Sequence, residues 1–334
     1  MKAIEASAFS IDRLAVVERP VPEPRCGEML IRVKAASLNY RDLAVLSGTH
    51  MPDLPLPYVP LSDACGFVET VGEGVTRFAA GDRVVPSYIQ GWHDGAPTPE
   101  QRFKRTLGGP LPGILQQYIV VPAEDAVRAP DHLSDEEAST LPIAALTAWS
   151  CLREGGLKVG DTVLVQGTGG VALFALQFAC AAGARVIALT SSETKAALLK
   201  KLGADAVINY RQTPEWAPAV REVTGGRGVE IVVETTGTSL SQSLAAVGFG
   251  GFVGVVGFVG GLETRLNVRQ LIGPMVRMQG MVVGSRAGLE ALGRAMTLHR
   301  IQPIIDSVFS IARCADAFHH LERGAHAGKI VITL

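Results

Sequence analysis

The stretch Thr162-Val-Leu-Val-Gln166 leads directly into Gly167-Thr-Gly-Gly-Val-Ala172, so that a β-rich run ends in a glycine turn of the pattern G-x-G-x-x-A. Gly167 allows the tight turn, Gly169 lets a phosphate approach the backbone, and Ala172 lets the next helix pack closely on the sheet. The start of that helix presents free N–H groups to an anion. The candidate pyrophosphate-binding residues are therefore Gly167, Gly169, Gly170 and Val171.

The segments that follow the turn supply the context that this pattern requires. An apolar stretch over 173–182 is predicted to be a buried helix, and Arg185–Thr190 a second strand. This order of strand, turn, helix and strand predicts dinucleotide binding, whereas a glycine-rich loop in an unrelated α/β domain is the alternative. Further apolar runs bounded by turns predict a doubly wound parallel sheet. These runs are Ala206–Asn209, Val229–Glu234, Gly251–Phe258 and Gly280–Gly284.

Length and composition indicate a two-domain α/β protein that acts on small molecules. The chain has 334 residues, more than the roughly 250–300 that a single core usually holds. Its net charge of −1 gives no electrostatic reason to expect nucleic acid or an anionic membrane. Met1–Glu5 lacks the apolar stretch of a signal peptide, and no run approaches the about 18 apolar residues of a membrane span. We therefore expect a cytoplasmic protein.

The first hundred residues differ from the centre of the chain, because β-rich runs there alternate with seven prolines between positions 20 and 60. Strands are predicted at Leu30–Ala35, Gly66–Val71 and Arg83–Pro86, and residues 90–112 are predicted to be a long loop. A helix is expected to start at Ser134, and the last strand, Lys329–Leu334, is expected to return to the first domain. We predict a β-rich domain from residues 1–122 and 286–334, and a dinucleotide-binding domain from residues 123–285.

The five cysteines are far apart and form no closely spaced pair, so neither a disulfide framework nor a structural zinc site is indicated.

Five motifs in order resemble the medium-chain dehydrogenase/reductase superfamily over essentially the whole chain. Besides the glycine turn they are Gly66-x-Val-x-x-Val-Gly72, Gly81-Asp-Arg-Val84, Thr147-Ala-Trp149 and Gly328-Lys-Ile-Val331. The resemblance implies a Rossmann domain beside a β-rich GroES-like catalytic domain. It also implies a homodimer in which the last strand of the nucleotide sheet, within 280–286, pairs with its copy; a monomer with that edge covered by the following helix is the alternative.

The resemblance also indicates that the catalytic metal is missing. The ligand positions of the zinc alcohol dehydrogenases correspond to Asn39, Ser62 and a position near Ile143. Asparagine, serine and isoleucine cannot make the Cys/His site that zinc prefers. The chain is therefore similar to the zinc-free quinone oxidoreductase branch, whose members use NADPH.

The end of the second strand, Leu189-Thr-Ser-Ser192, carries no acid to bind the ribose hydroxyls of NAD. A 2′-phosphate fits this composition, because hydroxyls, helix N–H groups and a lysine can surround a dianion. The positions that match the phosphate-binding residues of the zinc-free reductases are Thr190, Ser191, Ser192, Lys195 and Tyr210. Arg323 and Lys329 are further candidates for the same cofactor, although a surface role is equally open for Arg323.

The resemblance assigns the nicotinamide to segments that act mainly through backbone amides. These candidates are Thr147, Val256, Gly257, Phe258, Met281 and Val283.

Without a metal, hydride transfer must act on an electron-poor group such as a quinone or an α,β-unsaturated carbonyl. Asn39 and Tyr40 are the first candidates for a hydrogen-bond donor to the developing oxyanion, and Asp63 is the candidate carboxylate of the site. Asn39 as a turn residue, Tyr40 facing the pyrophosphate, and a local turn role for Asp63 remain alternatives. Arg41 and Asp42 are expected to form a structural ion pair, and His93 is either a substrate-mouth residue or solvated.

The leading hypothesis is an NADPH-dependent reductase of quinones or enones. A zinc-free alcohol or aldehyde dehydrogenase is an alternative, which would need Tyr40 or His93 as a general acid. A cofactor-sensing nucleic-acid-binding protein is less favoured, because the sequence has no basic stripe. Ala44 stands where relatives active on quinones tend to carry a tyrosine, which favours the broader class of reductase over that specific substrate.

Overall fold

The computed structural model describes residues 1–334, and the chain forms two units. Unit 1 comprises Met1–Leu146 and Gly284–Leu334, and unit 2 comprises Thr147–Val283. In chain order the strands are β1 (Lys2–Ala6), β2 (Leu14–Glu18), β3 (Glu28–Ser37), β4 (Asp63–Val71), β5 (Arg83–Pro86), β6 (Tyr118–Pro122), β7 (Ala126–Arg128), β8 (Thr162–Gln166), β9 (Arg185–Thr190), β10 (Ala206–Asn209), β11 (Val229–Glu234), β12 (Val247–Val255), β13 (Arg277–Gly280), β14 (Ile305–Ser310) and β15 (Lys329–Thr333).

The helices are short, and the longest has 14 residues. None of them combines the length and the apolar character that a membrane crossing requires. A π-helical turn over Leu141–Ala145 precedes the fourth helix. In chain order the helices are α1 (Tyr40–Leu46), α2 (Pro99–Lys104), α3 (Asp135–Ala138), α4 (Leu146–Glu154), α5 (Gly170–Ala181), α6 (Glu193–Lys201), α7 (Trp216–Val223), α8 (Leu240–Ala246), α9 (Arg269–Ile272), α10 (Arg286–His299) and α11 (Cys314–Glu322).

Unit 1 is built around a seven-stranded sheet in the order β14-β15-β3-β4-β5-β7, with β6 also paired to β3. β15 pairs antiparallel with β3, so that the end of the chain closes against its beginning, as the sequence predicted. The core of this unit includes Met29, Ile31, Leu38 and Phe318, none more than 2% exposed. This arrangement places the end of β3, the start of β4 and the start of β15 close together.

Residues 123–146, expected in the dinucleotide-binding domain, belong instead to unit 1. β7 pairs with β5, which anchors this segment to the first sheet. The ion pair between Arg83 Nε and Asp135 Oδ1, at 3.0 Å, attaches the start of α3 to β5. The helix start expected at Ser134 is present, because Ser134 caps α3 and Glu137 completes the capping box. Local sequence therefore identified the helix, whereas strand pairing determined the unit to which it belongs.

Unit 2 contains the predicted doubly wound sheet, six parallel strands in the order β10-β9-β8-β11-β12-β13. The predicted bounds of β9, β10 and β11 agree with the structure. The strands predicted at Gly251–Phe258 and Gly280–Gly284 were placed too late, since β12 ends at Val255 and β13 at Gly280. β13 reads Arg-Met-Gln-Gly and is largely exposed, so this edge strand lacks the apolar signal on which the prediction relied.

The segment 90–112 is not entirely loop, because it contains α2. Thr98 accepts a hydrogen bond from Gln101 N, and Gln101 Oε1 accepts one from Thr98 N at 2.8 Å. This is a capping box with Pro99 at the first helical position. The signal was present in the sequence as Thr-Pro-Glu-Gln, and the reading of the segment as aperiodic overlooked it.

Candidate active site

The glycine turn after β8 has the geometry of an anion seat. Gly167 has φ +80°, which favours glycine, and its N–H donates to Leu189 O at 2.9 Å. Gly169 is the N-cap of α5 with an ordinary φ of −72°. A Cβ built on Gly169 would have no atom within 4 Å, so neither backbone strain nor packing requires a glycine there. The open position beside the helix start therefore fits a phosphate group.

The residues expected around a 2′-phosphate lie together at the ends of β9 and β10. Asn209 pairs with Thr190 in the sheet, and Tyr210 N donates to Thr190 O at 2.9 Å. Ser192 caps α6 by accepting from Lys195 N at 3.4 Å. Thr190 itself is fully buried, and its hydroxyl faces the backbone of Ser192 at 3.4–3.5 Å. Thr190 therefore shapes the turn, which differs from the expectation that its hydroxyl contacts the cofactor.

The segments expected at the nicotinamide follow β12 and β13. Val256 N donates to Glu234 O, and Met281 N donates to Val255 O, both at 2.8 Å. A Cβ on Gly257 would lie 2.4 Å from Thr235 O, so this backbone packs directly on the loop after β11. Val283 has φ +33°, which is rare for a β-branched residue and marks local strain. Thr147 is 4% exposed and Phe258 is half-buried.

In unit 1, Asn39, Asp63 and Lys329 form one buried cluster. Asn39 Nδ2 donates to Asp63 Oδ2 at 2.9 Å, and Lys329 Nζ donates to Asn39 Oδ1 at 2.6 Å and to Leu38 O. An ammonium can only donate and a carboxylate accepts, so these partners fix the orientation of the Asn39 amide. Lys329 is only 4% exposed, and its ammonium lies within this cluster. Contact of Lys329 with the cofactor stays a prediction.

Burial perturbs both charged members of the cluster. Desolvation raises the pKa of Asp63 to about 7, against the opposing effects of Lys329 and of the hydrogen bond from Asn39. Desolvation likewise lowers the pKa of Lys329 to about 8, against the opposing charge of Asp63. Asp63 Oδ1 is buried and has no hydrogen-bond partner. An orphaned carboxylate oxygen with a raised pKa is typical of a functional site.

Ser62 and Ile143, the other two positions that the sequence analysis matched to metal ligands, lie near this cluster. Ile143 N donates to Asp63 Oδ2 at 3.2 Å, and Ser62 Oγ donates to Asp42 Oδ1 at 2.9 Å. Arg41 binds Ser62 Oγ at 2.5 Å and lies 3.4 Å from Asp42, so the expected ion pair of Arg41 and Asp42 is present. No group of three or more His, Cys, Asp or Glu side chains is arranged to hold a metal ion.

The remaining candidates occupy different surroundings. Tyr40, the first residue of α1, is 40% exposed. His93 Nε2 lies 3.1 Å from Asp125 Oδ1, and Asp125 is buried, so His93 has a carboxylate partner within unit 1. Arg323 follows α11, and its Nη2 lies 3.4 Å from His320 Nδ1.

The wider contacts of Arg41 and the buried carboxylate of Glu234 were not predicted from the sequence. Arg41 was expected only to pair with Asp42, yet it also binds Leu107 O and Gly109 O and lies over the Tyr88 ring. Glu234 ends β11 with a fully buried carboxylate. The acid that directly follows the apolar run Ile231-Val-Val233 was the signal that could have identified Glu234.

A doubly wound sheet with this glycine turn, in one chain with a β-rich unit that carries a buried polar cluster, defines the class of two-domain dehydrogenases. Comparison with known families agrees, since residues 25–131 match the alcohol dehydrogenase GroES-like domain and residues 170–297 match the zinc-binding dehydrogenase domain. The chain belongs to the medium-chain dehydrogenase/reductase superfamily, a family of oxidoreductases that use nicotinamide cofactors.

Relatives of several activities cover nearly the whole chain. A zinc-type alcohol dehydrogenase-like protein of Schizosaccharomyces pombe is 41% identical over 99% of this chain and 97% of its own length. Human quinone oxidoreductase is 28% identical over 94% and 91%. Among solved structures, a candidate alcohol dehydrogenase from Sinorhizobium meliloti 1021 has a TM-score of 0.94 at 42% identity, with 100% and 98% covered. An NAD-dependent alcohol dehydrogenase has a TM-score of 0.90 at 31% identity, with 100% of both chains covered.

Proposed function

We propose that this protein is an NADPH-dependent oxidoreductase that transfers hydride to a quinone or an α,β-unsaturated carbonyl without a catalytic metal. The observation that carries the proposal is the cluster of Asn39, Asp63 and Lys329. Of its members, Asn39 stands at a position that the resemblance matches to a metal ligand of the zinc-dependent relatives, and the Asp63 carboxylate and the Lys329 ammonium bind its amide. An internal ammonium is incompatible with a cation at the same place, and the donor set lacks the Cys and His ligands that zinc prefers.

NADPH is favoured by the end of β9. No acid follows β9 at the position where NAD enzymes bind the ribose hydroxyls. Ser191 and Ser192 lead into α6, Lys195 lies one turn further, and Tyr210 follows the neighbouring strand. Hydroxyls and a lysine around a helix start suit a dianionic 2′-phosphate. Because one solved relative is NAD-dependent, the choice of cofactor needs a direct test.

The bound cofactor supplies the hydride, and the protein positions the substrate and stabilises the charge that develops on it. Asn39 Nδ2 has two N–H donors and Asp63 accepts from one of them. We assign the second to the substrate oxygen, where negative charge accumulates. Lys329 and Asp63 hold the amide in that orientation, and Tyr40 is the candidate source of the proton.

The experiment is a spectrophotometric screen of NADPH and NADH oxidation against quinones, enones and aldehydes, before and after treatment with a chelator. We expect turnover of quinones or enones with NADPH that survives chelation, in a protein without stoichiometric zinc. One zinc per chain with activity lost on chelation would overturn the proposal. Turnover of aldehydes alone would favour the alternative, a zinc-free alcohol or aldehyde dehydrogenase.

We also propose a homodimer that forms through the free edge of β13. The apolar residues of the 280–286 segment, Met281, Val282 and Val283, are half-buried or buried. Four other apolar side chains in the stretch between β12 and β13 are at least 60% exposed. A strand edge beside such a surface suits an isologous contact between two copies. The four side chains are Leu262, Val268, Ile272 and Met275.

A further inference from the structure

The carboxylate of Glu234 lies where β11 ends, in the interior of unit 2, and it is fully buried. Burying a charge is unfavourable unless hydrogen bonds satisfy it. Desolvation raises the pKa of Glu234, but the hydrogen bonds that it accepts from Ser243, Gln166, Thr236 and Ser239 outweigh this effect, and its pKa lies below the usual value. Glu234 is therefore ionised, and hydrogen bonds satisfy both of its carboxylate oxygens.

The two carboxylate oxygens of Glu234 bind different parts of the unit. Oε1 accepts from Thr236 N at 2.9 Å, from Thr236 Oγ1 at 2.8 Å and from Gly237 N at 3.0 Å, all in the loop after β11. Oε2 accepts from Gln166 Nε2 at 2.7 Å and from the Ser243 hydroxyl in α8. Ser239 Oγ lies within 3.0 Å of both oxygens.

Gln166 connects Oε2 to the glycine turn. It is the last residue of β8 and directly precedes Gly167. Its amide oxygen accepts from Thr235 N, and its backbone oxygen accepts from the Thr235 hydroxyl, both at 3.2 Å. The position of the pyrophosphate seat is thus tied to the loop that Oε1 organises.

That loop in turn supports the segment proposed to hold the nicotinamide. Gly260 N donates to Thr236 O at 2.9 Å, and the backbone of Gly257 is in close contact with Thr235 O. The backbone oxygen of Glu234 also accepts from Val256 N at 2.8 Å. Glu234 therefore contacts, directly or through one neighbouring residue, both the glycine turn and the proposed nicotinamide segment.

We infer that Glu234 is a positioning residue that sets the spacing between the pyrophosphate seat and the nicotinamide segment, and so determines binding of the whole dinucleotide. This inference rests on the proposed function. An amide cannot replace the carboxylate, because one of its two ends only donates. If the amide nitrogen of a glutamine stands in place of Oε1, the hydrogen bonds from the loop after β11 are lost. If it stands in place of Oε2, the hydrogen bond from Gln166 is lost. The expected consequence is a change in spacing rather than loss of either half-site.

The test compares two ligands by equilibrium binding to the full chain: NADPH, and 2′-phospho-ADP-ribose, which lacks the nicotinamide. For Glu234→Gln we expect the Kd of NADPH to rise about tenfold, the equivalent of roughly 1.4 kcal/mol, and the Kd of the fragment to stay within about twofold. The control is Glu230→Gln at the other end of β11, where the carboxylate accepts one bond from Thr162 N. This control should bind both ligands like the wild type.

Equal loss of both ligands in Glu234→Gln, or unchanged affinity for both, would overturn the inference. Wild-type protein that binds neither ligand would overturn the proposed function as well, so the two failures are distinguishable. If Glu234→Gln does not fold, Ser239→Ala takes its place, because it removes only the hydroxyl that bridges both oxygens. Ser239→Ala should show the same selective loss at about threefold, and equal affinities there would overturn the inference.

Discussion

At Gly169 the fold does not require a glycine, whereas a bound phosphate group would. Its backbone conformation is one that any residue adopts, and no atom lies within 4 Å of the position of a Cβ. By contrast, Gly167 is needed for the turn itself, since its φ is positive. We propose that a glycine is kept at this position because a phosphate group approaches the backbone there.

Gly169→Ala should therefore leave stability almost unchanged and weaken NADPH binding. The loss of a favourable N-cap and the reduced entropy of the unfolded chain are effects of about 1 kcal/mol and opposite sign. A methyl group beside the phosphate should raise the Kd of NADPH by about tenfold or more. Chemical denaturation and fluorescence titration measure the two quantities, with Gly293→Ala in α10 as the control. Loss of stability with unchanged affinity would assign this glycine to the fold.

Lys195→Ala tests the 2′-phosphate. A charge-assisted hydrogen bond contributes about 1.5–3 kcal/mol, so NADPH binding should weaken by that amount while NADH binding stays nearly constant. Lys200→Ala, at an exposed position in the same helix, is the matched control. Calorimetric titration with both cofactors gives the answer, and an equal loss for NADPH and NADH would contradict the assignment of Lys195.

Asp63 and Lys329 should be energetically coupled. Removing one charge of a buried pair costs about 3–5 kcal/mol, because the other charge is left uncompensated. Asp63→Asn and Lys329→Met should each cost about that much, and the double variant should be clearly more stable than the sum predicts. Urea denaturation of the four proteins measures the coupling. Additive losses would contradict the coupling of the two charges.

The same pair predicts a dependence of stability on pH. Burial raises the pKa of Asp63 from its ordinary value of 3.8 to about 7. The contribution of Asp63 to folding stability is therefore complete at a pH below 3.8 and is lost as the pH rises through 7. Burial lowers the pKa of Lys329 from its ordinary value of 10.5 to about 8. The contribution of Lys329 to folding stability is therefore complete at a pH above 10.5 and is lost as the pH falls through 8. The stability of the wild type relative to the double variant should therefore be lowest between about pH 7 and 8, measured by urea denaturation across pH. A difference that does not vary with pH would contradict these ionisations.

At the scale of elements, the loops after neighbouring strands shape the proposed nicotinamide segment. The backbone of Gly257, after β12, contacts Thr235 O after β11 so closely that a Cβ would lie 2.4 Å from it. Strand pairing brings these loops together, because Glu234 and Val255 are partners in the parallel register. A side chain at Gly257 would push the two loops apart.

Gly257→Ala should lower the kcat for NADPH oxidation while the affinity for 2′-phospho-ADP-ribose stays constant. The clash should also cost about 1–3 kcal/mol of stability. Steady-state kinetics and fragment titration separate the two effects, and Gly293→Ala in α10 is again the control for binding and turnover. If kcat keeps its wild-type value, the segment after β12 does not position the nicotinamide.

At the scale of the whole molecule, the free edge of β13 gives the dimer proposal its test. Met281 N donates to β12, and successive N–H groups of a strand point to opposite neighbours, so Gly280 N points to the open edge. Gly280→Pro removes that donor and no bond within the sheet. Light scattering of the wild type should give twice the chain mass of 35.2 kDa, and the variant should shift toward the monomer. A monomeric wild type at micromolar concentration would refute the dimer.

The sequence by itself determined the fold class and most elements of unit 2. Glycine turns, apolar strands and capping residues are local signals, and the predicted bounds of β9, β10 and β11 agree with the structure because those strands are short apolar runs between turns. The motifs also pointed to the superfamily, which the comparisons confirmed. The edge strand β13 was misplaced because an exposed strand has no buried apolar face to reveal it.

Only the tertiary structure decided which polar side chains meet. Asn39, Asp63 and Lys329 are far apart in the chain, and antiparallel pairing of β3 with β4 and with β15 brings them together. That pairing places Lys329 in the interior of unit 1, and pairing of β7 with β5 places residues 123–146 in the same unit. The bonds of Glu234 likewise come from several separate segments. Pairing between distant strands is determined by how the whole sheet buries its apolar face. A local sequence pattern does not contain that information.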